Sequence, residues 1–298
     1  MQNHILSVVV PVYNESESLA ALLPGWIEYC QSQDWELILV NDGSTDQSGD
    51  ILAAYQQERN VRILHHSLNR GYGGALKTGI IASATPYTVT IDADGQHTIE
   101  DAALLLSLAV EQGADLVIGS RKGGKDHNKL RALGKWMIRN LARMLVPLSV
   151  HDLNSGFKLF RTEAVQDYLE LCPDTMAFSD TITLVFIHER HLVLECPIKV
   201  NKRIAGRSTI NFNTALNTII SILNNVMMFN PLRIFLPASL ISILFGVGWG
   251  LPILLAGRGV SVGSLLAIMS GLLLFFIGLL AHQLSEIRLQ INRLKKRK

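Results

Sequence analysis

The chain has 298 residues and a formal net charge of +2, with a sequence pI near 8.4. It therefore lacks the strongly basic field that a nucleic-acid binder presents. The mean hydropathy of +0.26 is high for a soluble protein, and the apolar excess is concentrated after residue 231. Cys30, Cys172 and Cys196 are an odd set without metal-ligand spacing, which reads as small buried hydrophobes in a reducing compartment.

Ile5 to Val12 is a continuous apolar run that begins almost at the N-terminus without a basic leader. It predicts a strand buried on both faces of a parallel sheet, in a domain that stays in the cytoplasm. Tyr13-Asn14-Glu15-Ser16-Glu17-Ser18 supplies turn and cap residues, followed by a helix with Leu19, Leu22, Leu23, Trp26 and Ile27 at helical spacing. Trp35–Val40 is a second strand running into Asn41-Asp42-Gly43-Ser44-Thr45-Asp46. A third unit joins Val61–Leu64, the turn Asn69-Arg70-Gly71-Tyr72-Gly73-Gly74 and a helix from Ala75 to about Ala84. That turn matches neither the dinucleotide fingerprint nor a P-loop. Lys77, early in its helix, could reach a diphosphate or simply be solvated.

Val89 to Ile91 leads into Asp92-Ala93-Asp94-Gly95-Gln96-His97. Two carboxylates one residue apart at a strand tip point to one side. They repel unless a cation lies between them, so Asp92, Asp94 and Gln96 offer hard oxygen donors for Mg2+ or Mn2+ shared with a diphosphate. The plain alternative is an acidic turn. Thr98 is expected to cap a helix from Ile99 to Gln112, and Asp115–Gly119 is the fifth strand. Strands alternating with helices predict an α/β domain with a mainly parallel sheet, whose ligands bind at the carboxyl ends of the strands. Glu15, Asp42, Asp92, Asp94 and Arg121 all fall there.

Beyond Arg121 the sequence predicts a basic loop over 122–129 that could act as a lid. An amphipathic helix follows over about 130–145, with Arg131, Lys135, Arg139 and Arg143 in a basic stripe. His151–Lys158 reads as a turn before a short strand, Phe178–Arg190 as a helix and Val193–Val200 as a strand. Leu232–Ala256 and Val260 to about Ala281 are each long and apolar enough to cross a bilayer. The basic tail, Arg288, Arg293, Lys295, Lys296, Arg297 and Lys298, places both ends of this hairpin in the cytoplasm. The expected divisions are a catalytic domain over 1–209, an interfacial segment over 210–231, a two-helix transmembrane hairpin over 232–284 and a basic tail over 285–298. Gly246, Gly248, Gly250 and Gly271 leave a homo-oligomer possible through helix packing.

The chain resembles the family 2, inverting (GT-A fold) glycosyltransferases, and within them the polyprenyl- or dolichyl-phosphate sugar synthases. The motifs are Val9-Val10-Pro11-Val12-Tyr13-Asn14-Glu15, Asn41–Asp46, Asn69–Gly73, Asp92–Gln96, Gly119-Ser120-Arg121, Asn154-Ser155-Gly156-Phe157-Lys158 and Arg203-Ile204-Ala205-Gly206-Arg207-Ser208. The resemblance implies that Pro11, Tyr13, Glu15 and Asp42 hold the nucleotide, that Asp92 and Ala93 continue its site, and that Asp94 and Gln96 bind the metal. It further implies that Arg121 and Arg203 neutralise the donor diphosphate and an acceptor phosphate, with Ser155, Arg207 and Ser208 beside them. Lipid-phosphate members often carry lysine where this chain has Thr209, and Arg207 could supply that charge. A hydroxyl acceptor would need a general base, for which Asp152 is the candidate unless it only caps its turn. A phosphate acceptor would need positive charge instead, although Arg203 and Arg207 could equally meet lipid headgroups.

The expected activity is transfer of one sugar from a nucleotide sugar to polyprenyl phosphate at the cytoplasmic membrane, in cell-envelope glycan synthesis. UDP-glucose is narrowly favoured as donor, ahead of GDP-mannose and UDP-linked amino sugars. Alternatives are a family 2 transferase acting on another lipid or a glycan, or a non-catalytic nucleotide-sugar-binding membrane scaffold. A processive synthase is disfavoured because its Gln-x-x-Arg-Trp motif is absent.

Overall fold

The computed structural model describes residues 4–121, 150, 152–201, 220, 223–224 and 226–295. The basic loop and stripe over 122–145, His151 and the segment 202–219 lie outside them.

Seven strands form one sheet in the order β3-β2-β1-β4-β6-β5-β7. They are β1 (Leu6–Val12), β2 (Glu36–Asn41), β3 (Val61–His65), β4 (Tyr87–Thr90), β5 (Leu116–Arg121), β6 (Lys158–Arg161) and β7 (Val193–Ile198). The pairs β1–β2, β1–β4, β2–β3 and β5–β7 are parallel. Strand β6 runs antiparallel to both of its neighbours. The sheet is thus mixed but mainly parallel, as the alternation of elements predicts.

Helices α1 (Ser16–Ser32), α2 (Ser48–Ala53), α3 (Tyr72–Ala82) and α4 (Asp101–Gln112) connect the strands. Later in the chain come α5 (Thr162–Gln166) and α6 (Phe178–His188). On one sheet face Val8, Val10, Leu37, Leu39, Val89, Val117 and Leu159 join Leu19, Leu23 and Trp26 of α1 and Leu105 of α4 in the core. On the other, Val9, Ile38 and Val40 are fully buried as well, which is why β1 and β2 read as unbroken apolar runs. Pro11 is tolerated because the edge of β1 that bonds β4 ends before it. The last such contact is Ile91 N donating to Val9 O at 3.1 Å, and Pro11 faces the same way two residues on. Trp35 is buried, Cys30 and Cys172 are buried as expected, and Cys196 is half-buried.

Helix α4 corrects one expectation. It begins at Asp101 without a side-chain cap, and Thr98 contributes only its carbonyl, to Asp101 N at 3.3 Å.

A second compact unit contains the C-terminal helices α7 (Leu232–Leu255) and α8 (Val262–Lys295). Both are long and apolar enough to span a membrane, and both are largely uncovered by protein. They pack on each other through small residues. A Cβ on Gly246 would meet Ile268 Cγ1 at 2.7 Å, one on Gly271 would meet Ser239 O at 2.9 Å, and Gly250 abuts Ser264. Ser242 Oγ donates to Ala267 O at 2.8 Å, and Ser264 Oγ donates to Gly246 O at 2.5 Å. Gly246, Gly250 and Gly271 are therefore used inside the hairpin, whereas Gly248 faces open space. Helix α8 continues past the expected end of the second span as one helix of 34 residues. At 1.5 Å per residue that is about 51 Å, well beyond a hydrocarbon core of about 30 Å.

At the end of the sheet where β5 starts, Asp115 joins three elements. Its Oδ1 is 2.9 Å from Arg161 Nε, and its Oδ2 meets His191 Nδ1 at 3.1 Å and Leu192 N at 3.2 Å. Burial alone would raise this carboxyl, but the His191 and Leu192 hydrogen bonds and the Arg161 charge outweigh it and hold it below its ordinary 3.8. A depressed folded value contributes stability that is present above about pH 4 and is lost as pH falls through the folded pKa. Asp115→Asn is accordingly expected to lower the melting temperature at pH 7, and the gap from wild type should close below about pH 4 in a pH series of thermal scans.

Candidate active site

The loops after β1 and β2 are laced together. Asn14 adopts a left-handed conformation, with φ of 55°, and its Oδ1 accepts from Thr45 N at 2.8 Å and Asp46 N at 3.3 Å. Ser44 and Ser48 hydroxyl oxygens accept from Asn14 N and Glu15 N at 3.1 and 3.0 Å. Asp46 accepts from Ser16 N at 3.1 Å and from Ser48 N at 2.9 Å, satisfying the first turns of α1 and α2 at once. Burial raises the Asp46 carboxyl, but its hydrogen bonds to Ser48 and Ser16 prevail and leave it below the usual range. On this frame Tyr13 is exposed, and Glu15 accepts from Ser18 Oγ at 3.0 Å.

Asp42, expected to read a nucleotide base, is buried and engaged within the chain. Its Oδ1 takes His66 Nδ1 at 2.6 Å and Arg70 N at 2.9 Å, and its Oδ2 takes Gly71 N at 2.9 Å. The carboxylate thereby shapes the glycine turn that opens α3. His66 Nε2 in turn lies 2.9 Å from Thr78 Oγ1 on that helix. Lys77 is paired to Asp174, Nζ to Oδ1 at 2.5 Å.

Strand β4 stops at Thr90, so Asp92 and Asp94 sit in the turn beyond it, and strand alternation does not orient them. Gly95, at φ of 75°, permits the reversal. Asp92 is half-buried and Oδ1 accepts from Tyr72 Oη at 2.8 Å. Burial, and then the adjacent Asp92 charge, push the Tyr72 phenol well above its usual range and keep it a donor. Asp94 is buried, and its Oδ1 accepts from Gln96 N at 3.0 Å. Ala93 is buried between them. The 152–157 turn closes on this group through Gly156, where a Cβ would lie 2.6 and 2.8 Å from the two Asp92 carboxylate oxygens. His97 stacks on Phe157, with ring centroids 5.1 Å apart.

Among the described residues no three His, Cys, Asp or Glu side chains converge to enclose a metal. The donor set nevertheless fits Mg2+ or Mn2+ shared with a substrate diphosphate, because such ions take one or two carboxylates and leave other positions to phosphate and water. Asp92, Asp94 and Gln96 supply hard oxygens of that kind. Beside them a cavity of about 350 Å³ is lined by Gly95, His97, Ile99, Trp26 and Asn201. Another, of about 410 Å³ and lined by Thr85, Arg161 and Gln166, lies at the opposite ends of the strands.

On the far side of the carboxylates, Asp152 is half-buried and its N–H donates to Glu195 Oε1 at 3.0 Å. Ser155, expected at an acceptor phosphate, is fully buried, and its hydroxyl donates to Gly119 O at 2.7 Å, fastening the turn to β5. Arg121 ends β5. Arg203, Arg207 and Ser208 lie outside the described residues. Sequence reasoning gave no role to Tyr72, His66, Lys158 or Asp180. Lys158 is buried at 1% exposure. Burial lowers its ammonium to about 8, against the opposing pull of Asp180, Asp152 and Asp92, and burial raises Asp180 to about 6. The available signal was a lysine directly before the apolar pair Leu159-Phe160.

Two family models match the chain: glycosyl transferase family 2 over residues 7–169 and the GtrB C-terminal hairpin over residues 230–287. The undecaprenyl-phosphate 4-deoxy-4-formamido-L-arabinose transferase of Photorhabdus laumondii is 29% identical, over 95% of this chain and 89% of that protein. The protein of the same description from Pectobacterium carotovorum is 30% identical, over 87% of this chain and 78% of its own length. Among solved structures, glucosyl-3-phosphoglycerate synthase from Mycobacterium tuberculosis, in complex with Mn2+, UDP and phosphoglyceric acid, superposes with a TM-score of 0.58 at 18% identity, covering 75% of this chain and 78% of that one. Its complex with Mg2+ and UDP gives 0.57. At that identity the likeness is one of fold, a GT-A-like mixed sheet. The first family model spans more than half of the chain and includes every strand and turn that forms the Asp92–Asp94 site up to Lys158, and on that ground the protein belongs to the family 2 glycosyl transferases.

Proposed function

We propose that this glycosyltransferase moves one sugar from a nucleotide-sugar donor to polyprenyl phosphate by inverting, in-line displacement at a membrane surface. The observation that carries the reading is the presence in one chain of the Asp92–Gln96 carboxylate turn at the strand ends and of an apolar hairpin of the type matched over residues 230–287. The relatives described as undecaprenyl-phosphate sugar transferases align over both parts.

In this scheme Pro11, Tyr13 and Glu15 frame the base and ribose, Asp42 sets the glycine turn beside them, and Asp92 and Ala93 continue the donor site. Asp94, Gln96 and Asp92 are the residues that would hold Mg2+ or Mn2+, which supplies charge stabilisation to the departing diphosphate. Arg121, Arg203 and Arg207 provide fixed positive charge for the donor and acceptor phosphates. A phosphate monoester has a second pKa of about 6 and is mostly dianionic at neutral pH. It therefore attacks without surrendering a proton, and Asp152 is not required as a base. A hydroxyl acceptor would need one. The basic residues Arg288, Arg293 and Lys295 near the end of α8, against Arg258 alone between the helices, favour a two-span protein with its catalytic unit on the cytoplasmic side.

UDP-glucose heads the donor list, followed by GDP-mannose. The sugar in the relatives' descriptions adds a nucleotide-linked 4-deoxy-4-formamido-L-arabinose to that list. The test is transfer of label from each donor to undecaprenyl phosphate by purified protein in detergent with Mn2+ or Mg2+, read in the organic phase beside Asp94→Ala. Metal-dependent transfer from one donor, reduced about 100-fold or more in the variant, is expected. Nucleotide binding without transfer to this acceptor would remove the lipid-phosphate reading in favour of another acceptor or a scaffold.

Gly156→Ala tests the contact between the two turns. Its methyl group must displace Asp92 or Tyr72, and a loss of about 10- to 100-fold in initial rate is expected with the fold retained by circular dichroism. An unchanged rate would show that the neighbours yield freely.

A further inference from the structure

Lys158 is among the largest fully buried side chains of the protein. It stands at the start of β6, opposite Thr90 of β4, immediately before the carboxylate turn. Its Nζ donates to Leu153 O at 2.8 Å and to Ser179 O at 2.7 Å. The first carbonyl follows Asp152 in the turn that ends at Gly156. The second precedes Asp180 in the first turn of α6. The same turn is held on its other side, where Asp152 N donates to Glu195 Oε1 at 3.0 Å. A buried ammonium is costly unless it is well satisfied, and a methionine of similar length would fill the space without that cost. What the ammonium adds is two directed hydrogen bonds to backbone carbonyls of separate elements.

We propose that Lys158 is a positioning residue for sugar transfer: its ammonium clamps the Leu153 carbonyl to the Ser179 carbonyl and so fixes the 152–157 turn, with Gly156 seated against Asp92. This rests on the reading of the Asp92–Asp94 turn as the reaction centre. Lys158 touches no reacting atom; it acts through the turn. Because that turn also brings Gly156 within van der Waals reach of the Asp92 carboxylate, loosening it shifts both sides of the site together.

The full-length protein in detergent is compared with Lys158→Met, Lys158→Arg and the double variant Lys158→Met/Asp180→Asn, which removes both buried charges. Amide hydrogen exchange over peptides covering 152–157 and 6–12 gives one readout. The kcat and KM for transfer to undecaprenyl phosphate, with the donor that wild type uses, give the other. Lys158→Met is expected to exchange about tenfold faster in 152–157 with 6–12 unchanged. Its kcat is expected to fall about 30- to 100-fold with donor KM within about threefold. Lys158→Arg, which still donates to both carbonyls, is expected to retain more activity than Lys158→Met. The double variant is expected to recover thermal stability but not kcat, and it carries both readouts if the single methionine variant does not fold. Unchanged exchange over 152–157, recovery of kcat in the double variant, or a loss confined to KM would each overturn the clamp. If wild type transfers nothing, the functional reading fails, while the exchange comparison still decides the clamp.

Discussion

A carboxylate withdrawn from water must find donors, and the cost of failing to do so runs to several kcal/mol. The catalytic unit is shaped by that requirement, met in different ways at three aspartates, two in the loop after β2 and one in the turn after β4. Asp42 gathers His66 and two backbone N–H groups of the glycine turn. Asp46 gathers the first turns of two helices. Asp92 takes the Tyr72 phenol on one oxygen and has Gly156 against its face. Asp42 is tied to Asp92 through the glycine turn, whose Tyr72 donates to it, and Asp46 braces the neighbouring loops. With these contacts in place, the turn carrying Asp92 and Asp94 is presented at a fixed point where the β1, β2 and β4 loops meet, the position at which α/β sheets bind ligands.

The parallel half of the sheet was legible because apolar β-branched runs and glycine turns encode it locally. The carboxylate turn was legible for the same reason, as two acids and a glycine after a short strand. The antiparallel insertion of β6 between β4 and β5 was not, since pairing direction depends on a partner some 70 residues away, as between Thr90 and Lys158. The surroundings of Asp42 and Ser155 were hidden in one common way. Their residue types suit a ligand, and each side chain also engages the chain's own backbone through distant partners, Arg70 for Asp42 and Gly119 for Ser155, which lie 28 and 36 residues away. The burial of Lys158 was hidden similarly, because a lysine in a polar motif reads as a surface charge until the strand around it is placed.

The hairpin shows a related economy. Its small residues left association between chains open, and Gly246, Gly250 and Gly271 let α7 and α8 approach each other. Serine hydroxyls bridge the two helices by donating to carbonyls across the interface. In lipid, where apolar side chains gain little by leaving their surroundings, such close contact and bridging are what hold two helices together.

Asp46 has a further implication, for how the domain assembles. Its carboxylate joins the start of α1, 30 residues earlier in the chain, to the start of α2 beside it. Neither helix is capped by the side chain of its own N-cap residue; the Asp46 contact to Ser48 is local, whereas its contact to Ser16 exists only once the two preceding strands have paired. The β1–α1 and β2–α2 units therefore form a single cooperative block. Loss of the loop after β2 withdraws the Asp46 contact from α1 as well as from α2, and with it a support of the surface that displays Tyr13.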